Sequence, residues 1–331
     1  MNYLLLALSF AVILAGALLF TNAVEWLGHK LKLGEGAVGS LLAAVGTAMP
    51  ETLIAVVALI SAAEGSADVA IGAIVGAPFL LATLAMGLVG LFAYVYRERR
   101  EQGLELKAHA PTLERDLVFF MIFFGIALAM AWGAPDPLRI PVGILVILAY
   151  VYYIRRTLLS SGEVQAHHTL DPLIFERREE FRKDPALILC VIQLLVGLGA
   201  MVGGAHLFVE ELLHIAESIG VEALVLALIL APLATELPEK VNSFFWIREG
   251  KDSLALGNIT GAMVFQSTIP VGIGLIFTDW ALSTNAWVSI VLGLAGGFLA
   301  YEALHRRDRF VLPVVLGWFA LYVSYIAIVA V

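Results

Sequence analysis

From residue 2 onward the chain alternates long apolar runs with short polar punctuation. Ten runs approach the length of a bilayer crossing, about 20 helical residues. They cover 2–27, 34–62, 69–96, 117–132 and 140–154, then 186–209, 221–246, 253–277, 286–301 and 311–331. Five of the six tryptophans, Trp26, Trp132, Trp246, Trp280 and Trp287, fall near the ends of these runs, where amphipathic rings anchor at a lipid interface. Composition agrees with the pattern. The chain is 60% hydrophobic and 15% charged, with a mean hydropathy of +0.92, whereas soluble domains are about 45–50% apolar and about 25% charged. The expected fold class is an all-α, multi-pass integral membrane protein.

Basic residues fall in alternate connections. Of the 20 lysines and arginines, 18 follow the first, third, fifth, seventh and ninth runs; Arg139 lies in the opposite set and Lys240 inside the seventh run. Loops rich in lysine and arginine face the cytoplasm. Ten transmembrane helices with N- and C-termini outside are therefore predicted, most simply in the plasma (inner) membrane. The net charge of −8 resides mostly in loops and identifies no partner. The first run is long for a signal peptide and lacks a basic leader, so it is expected to be a retained helix. The single cysteine, Cys190, forms no intrachain disulfide.

A repeat runs through these helices. GALLF at 16–20 returns as GAHLF at 204–208, LAAVGTAMPET at 42–52 as LAPLATELPEK at 230–240, and AIGAIVGA at 70–77 as ALGNITGA at 255–262. Five crossings separate the copies, so each copy crosses in the opposite sense. The organisation predicted is two inverted five-helix repeats, 1–157 and 186–331, joined by a cytoplasmic linker at 158–185. The first repeat carries its motif over 42–81 and the second over 230–266. A short amphipathic helix on the inner surface is expected within 170–183. Inverted repeats of this kind hold their binding site near the midplane, where the copies meet.

In both copies a proline precedes a glutamate: Pro50-Glu51 and Pro238-Glu239. Proline within a helix withholds its N–H and crowds the preceding turn, freeing the carbonyls of Gly46 and Ala234 and disturbing those of Thr47 and Thr235. Bare carbonyls at membrane depth need another partner. An ionised side chain there costs at least about 2.5–3.5 kcal/mol, and two facing carboxylates repel unless a cation lies between them. Two carboxylates with several carbonyl and hydroxyl oxygens form a hard ligand set suited to Ca²⁺. The plainer reading, glutamates that cap disturbed helices or stay protonated, leaves the duplication unexplained.

GTAMPET and ATELPEK resemble the α-repeat signature of the cation/calcium exchanger superfamily, the sodium/calcium exchangers and their relatives. The usual form is Gly-Thr-Ser-x-Pro-Glu, followed one helix later by Gly-Asn-x-x-Gly-Ser-Asn. The resemblance covers essentially the whole chain and implies alternating access, with helices one and six sliding across a core of two, three, seven and eight. It implies that Glu51 and Glu239 bind Ca²⁺ and that Thr47 and Thr235 contribute mainly backbone oxygen. The chain departs from the pattern at several places. The serine after each threonine is Ala48 or Glu236. Gly-Ser-Asn is Gly76-Ala77-Pro78 or Gly261-Ala262-Met263. The further polar position is Leu81 in one copy and Gln266 in the other.

Glu236 and Lys240 are spaced to pair on one helix face. The Lys240 ammonium then stands where a monovalent cation would, moving the coupling towards protons through Glu236 or Lys240 itself. The alternative is a static ion pair with Lys240 reaching for the inner surface. Gln266 joins these two as a candidate for coupling or selectivity, and Asn242, Ser243 and Asn258 are candidates for the ion path. The expected activity is secondary antiport of Ca²⁺ against Na⁺ or H⁺, with proton-coupled exchange of Mg²⁺ or Mn²⁺ as the nearest rival. An intramembrane enzyme is disfavoured, since no His-Glu-x-x-His, nucleophile-elbow or cysteine–histidine pattern occurs. The expected partners are the lipid bilayer and the transported cations, with no cofactor and no nucleic acid; no feature sets an oligomeric state.

The topology has a direct check. In a Cys190→Ser background, single cysteines at Glu64 and Glu249 are expected to react with an impermeant maleimide from opposite sides of the membrane, Glu64 from outside. Reaction of both from the same side would refute an odd number of crossings between the two copies.

Overall fold

The computed structural model describes residues 2–30, 43–61, 63–101, 103–106, 110–133, 135–160, 171–176, 178, 184–307 and 309–329, without the side chains of 43–47, 110, 158–160, 234, 237–242 and 307. Among the described residues the regular elements are helices, apart from an isolated antiparallel bridge between Glu105 and Arg309. In chain order the helices are α1 (Asn2–Lys30), α2 (Ala43–Ile60), α3 (Ser66–Val95), α4 (Ala110–Ala131) and α5 (Asp136–Ser160). They continue with α6 (Leu187–Ile219), α7 (Ala223–Arg248), α8 (Asp252–Phe277), α9 (Thr284–Arg307) and α10 (Leu312–Val329). Seven of them, α1, α3, α5, α6, α8, α9 and α10, are long and apolar enough to cross a membrane.

Helix lengths depart from the apolar runs where polar residues continue a helix. α6 extends past the run ending at 209, through Glu210, Glu211, His214 and Glu217, and closes at Gly220 with a left-handed φ of 70°, as glycine readily does after a last turn. Hydropathy registers contact with lipid, whereas the helix continues for as long as its backbone bonds are made.

α3 is almost wholly enclosed by protein and α8 largely so, whereas α1, α5, α6 and α10 turn most of their surface outward. α7 lies directly on α3. A Cβ at Gly72 would lie 2.5 Å from the Leu224 carbonyl oxygen, and one at Gly76 would lie 2.3 Å from that of Leu228. Small residues of this kind let membrane helices approach backbone to backbone.

α1 and α6 form the most extensive pairing in the molecule. A Cβ at Gly16 would meet Gly197 and Met201, and one at Gly204 would meet Ser9 and Ile13. Gly16 and Gly204, Ser9 and Gly197, and Ile13 and Met201 are three pairs with one and the same sequence separation. The contacts therefore exchange when the two helices are exchanged, and the helices run antiparallel.

The described part of the linker, 171–176, is extended and turned, not helical. Its backbone is occupied by side chains of α1 and α6. Trp26 Nε1 donates to the Asp171 carbonyl at 2.9 Å, and the Ile174 N–H donates to Asn22 Oδ1 at 3.0 Å. The Phe175 N–H donates to Gln193 Oε1 at 2.8 Å, and Gln193 Nε2 donates to Asn22 Oδ1 at 2.9 Å. Leu173 is buried against Trp26 and Cys190. Helical bonding would require the same amides and carbonyls.

On the side of the molecule predicted to be cytoplasmic, Arg100 follows α3 and is buried. Its guanidinium donates to Asp252 Oδ2 at 2.8 Å, the Ile247 carbonyl at 3.0 Å and the Glu105 carbonyl at 3.0 Å. Phe92 stacks on Phe244 beside it, with centroids 4.6 Å apart. The end of α3 is thereby locked to the α7–α8 turn. Taking one partner from a buried ion pair costs about 3–5 kcal/mol, while replacing both with apolar residues is often near neutral. Arg100→Ala is expected to lower the thermal unfolding midpoint of the detergent-purified protein, and Arg100→Met with Asp252→Leu to recover most of the loss; equal losses in both would contradict this account of the pair.

Candidate functional site

The two proline–glutamate motifs lie on α2 and α7, which pack against each other. Both helices run through their prolines, so Pro50 and Pro238 remove hydrogen bonds without ending a helix. Glu51 is buried, at 2% exposure. The Thr52 hydroxyl next to it donates to the Ala48 carbonyl at 2.9 Å. Ala48 packs with Tyr150 and Tyr153 of α5 and with Val264 and Phe265 of α8. Met49 and Leu53 pack with Ala17, Phe20 and Val24 of α1 and Met201 of α6. The proline turn of α2 is thus held between the α1–α6 pair and the α5–α8 surface.

On α7, Thr235 and Glu236 are 1% and 0% exposed. The Thr235 hydroxyl donates to the Ala231 carbonyl at 2.7 Å. Gln266 Nε2 of α8 donates to Glu236 Oε1 at 3.1 Å. Further along α7, Ser243 Oγ accepts from Asn258 Nδ2 at 3.0 Å. α8 therefore joins α7 at two levels, through side chains the sequence had marked for coupling and for the ion path. The side chains of Thr47, Glu239, Lys240 and Asn242 lie outside the described residues; their backbones belong to α2 and α7.

Helix irregularities occur elsewhere than at these prolines. α3 contains a π turn over Leu81–Ala85. The first segment of α8 ends at Gln266, and a second begins at Ile269. Leu81 and Gln266 stand as far apart along the chain as Ala70 and Ala255 of the repeat, so the two bends occupy equivalent positions. Thr83 and Thr268 share that separation, and each returns its hydroxyl to the carbonyl four residues earlier, at 2.6 Å and 2.7 Å. Such back-bonding bends helices, and single π turns gather at functional sites. The paired threonines are the sequence signal for these bends, which the motif reading had not used.

Pro232 has a structural part of its own. It withholds the N–H that the Leu228 carbonyl would accept, and that carbonyl is the one facing Gly76 of α3. A weak Cα–H···O contact is available there only to a glycine.

One buried carboxylate had not been singled out. Asp116 of α4, 3% exposed, accepts the Tyr153 hydroxyl at 3.0 Å and Arg115 Nη2 at 3.1 Å on Oδ1, and the Thr260 hydroxyl at 3.1 Å on Oδ2. Its sequence signal is an adjacent Arg-Asp pair at the edge of an apolar run.

Residues 1–159 and 189–331 match the family model described as sodium/calcium exchanger protein. The chain belongs to that family. Among relatives of this exchanger-family chain, the sodium/calcium exchanger MaX1 of Methanosarcina acetivorans is 24% identical over 344 residues, covering 96% of this chain and 88% of the relative. The inner membrane protein YrbG of Escherichia coli is 21% identical over 292 residues, covering 87% and 85%. In fold, the chain is similar to the H⁺/Ca²⁺ exchanger CAX, with a TM-score of 0.70 at 19% identity over 98% of this chain and 81% of that one. It is also similar to the sodium–calcium exchanger NCX_Mj, with a TM-score of 0.60 at 18% identity over 98% of both chains. The exchanger-family chain is an integral, multi-pass membrane protein of a cation/calcium antiporter family.

The α3–α7 seam that carries half of the site is testable. Overpacking a tight contact costs about 1–3 kcal/mol, occasionally more. Gly76→Ala is expected to fall at the upper end, because its Cβ would meet backbone; an unchanged melting temperature in detergent would show that the seam yields.

Proposed function

We propose that this chain is a secondary antiporter that exports Ca²⁺, or a similar divalent cation, in exchange for Na⁺ or H⁺ by alternating access. The ion lies between Glu51 and Glu239 near the membrane midplane, with Thr47 and Thr235 adding oxygen. One observation carries this reading: Glu51 is buried one residue beyond Pro50, on a helix packed against the helix that presents Pro238-Glu239. A buried carboxylate on a helix packed against one that carries a second proline–glutamate turn supports a shared set of hard oxygen donors, the kind of cage a divalent cation such as Ca²⁺ takes.

The ten helices form two inverted repeats with outward termini. The α1–α6 crossing supports this, because its contacts interchange under a single sequence separation while the helices run antiparallel. The paired bends at Leu81 and Gln266 lend further support. α1 and α6 slide as a pair across α2, α3, α7 and α8.

The contact between Glu236 and Gln266 favours H⁺ as the counter-ion. The family pattern has a serine at the Glu236 position, and here a carboxylate is held against an amide with no exposure. A carboxylate carries one proton in and releases it on ionising, a role that a serine hydroxyl does not fill. Lys240, four residues on, offers the positive charge that balances the ionised form. Asn242, Ser243 and Asn258 line the route from the cytoplasmic side.

Uptake of ⁴⁵Ca²⁺ into vesicles containing the purified protein tests this reading. A pH gradient is expected to drive it more strongly than a Na⁺ gradient, with competition from Mn²⁺ and Mg²⁺ reporting selectivity. Glu51→Gln and Glu239→Gln should each reduce uptake at least about a hundredfold, the scale of about 3 kcal/mol for a charged ligand lost from a buried site. Glu236→Gln and Lys240→Met should alter the response to the two gradients. Unimpaired uptake in both Glu51→Gln and Glu239→Gln would sink the proposal, and indifference of Lys240→Met to the driving ion would remove lysine from the coupling.

A further inference from the structure

Helix α8 presents two faces with different work. Asn258 and Gln266 are two turns and a little more apart, which turns them only about 80° from each other around a helix. Both reach α7, one at Ser243 and the other at Glu236. Thr260 points well away from this face, about 160° from Asn258 and about 120° from Gln266. There its hydroxyl donates to Asp116 of α4 at 3.1 Å. The same carboxylate takes the Tyr153 hydroxyl of α5, and Arg115 Nη2, which contacts it, also reaches Thr157 Oγ1 of α5 at 3.0 Å. Tyr153 in turn belongs to the buried apolar cluster that includes Ala48, three residues before Glu51. One carboxylate thus fastens the back of α8 and braces α5, beside the apolar cluster that holds Ala48 of α2.

We propose that Asp116 is a positioning residue of the exchange cycle: by holding Thr260 it sets the rotation of α8 and with it the place of Gln266 beside Glu236. The inference rests on the reading of the Glu236–Gln266 contact as part of the coupling site. Asp116 suits a fixed role. Its charge is balanced by Arg115, and each of its oxygens accepts at least one donor, so a satisfied carboxylate buried among helices holds a defined geometry. Released from this anchor, α8 keeps its apolar packing but loses the polar contact that fixes its turn about its own axis on this side. A small rotation then carries the Gln266 amide out of reach of Glu236.

Two fluxes measured on the same vesicles separate positioning from simple loss of protein. Exchange of ⁴⁵Ca²⁺ for unlabelled Ca²⁺ needs no counter-ion, whereas uptake driven by an imposed pH or Na⁺ gradient does. With both normalised to folded protein, Thr260→Val and Asp116→Asn are expected to reduce gradient-driven uptake about tenfold, the scale of one lost hydrogen bond to a charged group. Ca²⁺/Ca²⁺ exchange should fall less than about twofold, a change worth only about 0.4 kcal/mol. Thr260→Ser, which keeps the hydroxyl, should restore coupling. Gln266→Leu should separate the fluxes in the same sense, and combining it with Thr260→Val should add little. If Asp116→Asn fails to fold, the Thr260→Val and Thr260→Ser pair decides. Equal loss of both fluxes in Thr260→Val, or loss of neither, while Gln266→Leu still separates them, overturns the positioning role and leaves the coupling site standing. Failure of Gln266→Leu to separate them overturns both.

Discussion

A carbonyl oxygen that loses its helical donor inside a bilayer has no water to turn to, and much of this molecule follows from that constraint. Pro232 takes the donor from Leu228, and α3 meets the exposed oxygen with Gly76, where a side chain would not fit. Pro50 and Pro238 strip donors from the turns next to Glu51 and Glu239, the turns proposed to offer oxygen to a cation. The bends at Leu81 and Gln266 are stabilised by threonine hydroxyls that return to the chain. Helix defects here are distributed, not avoided: the Leu228 carbonyl has a close glycine neighbour, and the bends at Leu81 and Gln266 have threonine hydroxyls.

The proposed division between a fixed core and a sliding α1–α6 pair follows the same logic. The buried Arg100 and the Asp116 cluster tie α3, α4, α5, α7 and α8 with polar contacts that lose heavily if one partner leaves, and the stacked Phe92 and Phe244 add an aromatic contact between α3 and α7. The α1–α6 pair instead meets α2 through the apolar side chains of Met49 and Leu53. Apolar surfaces of this kind can slide, since a shift exchanges one contact for another of similar worth. The linker at 171–176 joins the end of α1 to the start of α6 through Asn22, Trp26 and Gln193, which tethers the two helices to each other.

Much of this is legible in the sequence, for physical reasons. A membrane helix must be apolar over a set length, so hydropathy marks where helices lie, and the basic residues predict which loops face inward. The proline–glutamate motif is legible because it is duplicated and chemically out of place. Helix ends are not, as α6 shows, because helical bonding continues after lipid contact stops. The linker reads as an amphipathic helix because the side chains that claim its amides, Asn22 and Gln193, belong to other elements and stand 152 and 18 positions from Ile174 and Phe175. Asp116 escapes notice for the same reason: Thr260 is 144 positions distant, and a lone acid at the rim of an apolar run resembles an ordinary interfacial charge.

The α1–α6 crossing carries a consequence for the origin of the chain. A surface in which Gly16 meets Gly197 and Met201, while Gly204 meets Ser9 and Ile13, is self-complementary, as is the interface of a two-fold symmetric dimer. Under the proposed inverted repeat, a single five-helix protein inserted into the membrane in both directions could form such a contact before any gene fusion. On this view the fusion supplied only the connecting segment and the freedom for the halves to diverge, leaving Glu236 and Gln266 on one side opposite Ala48 and Leu81 on the other.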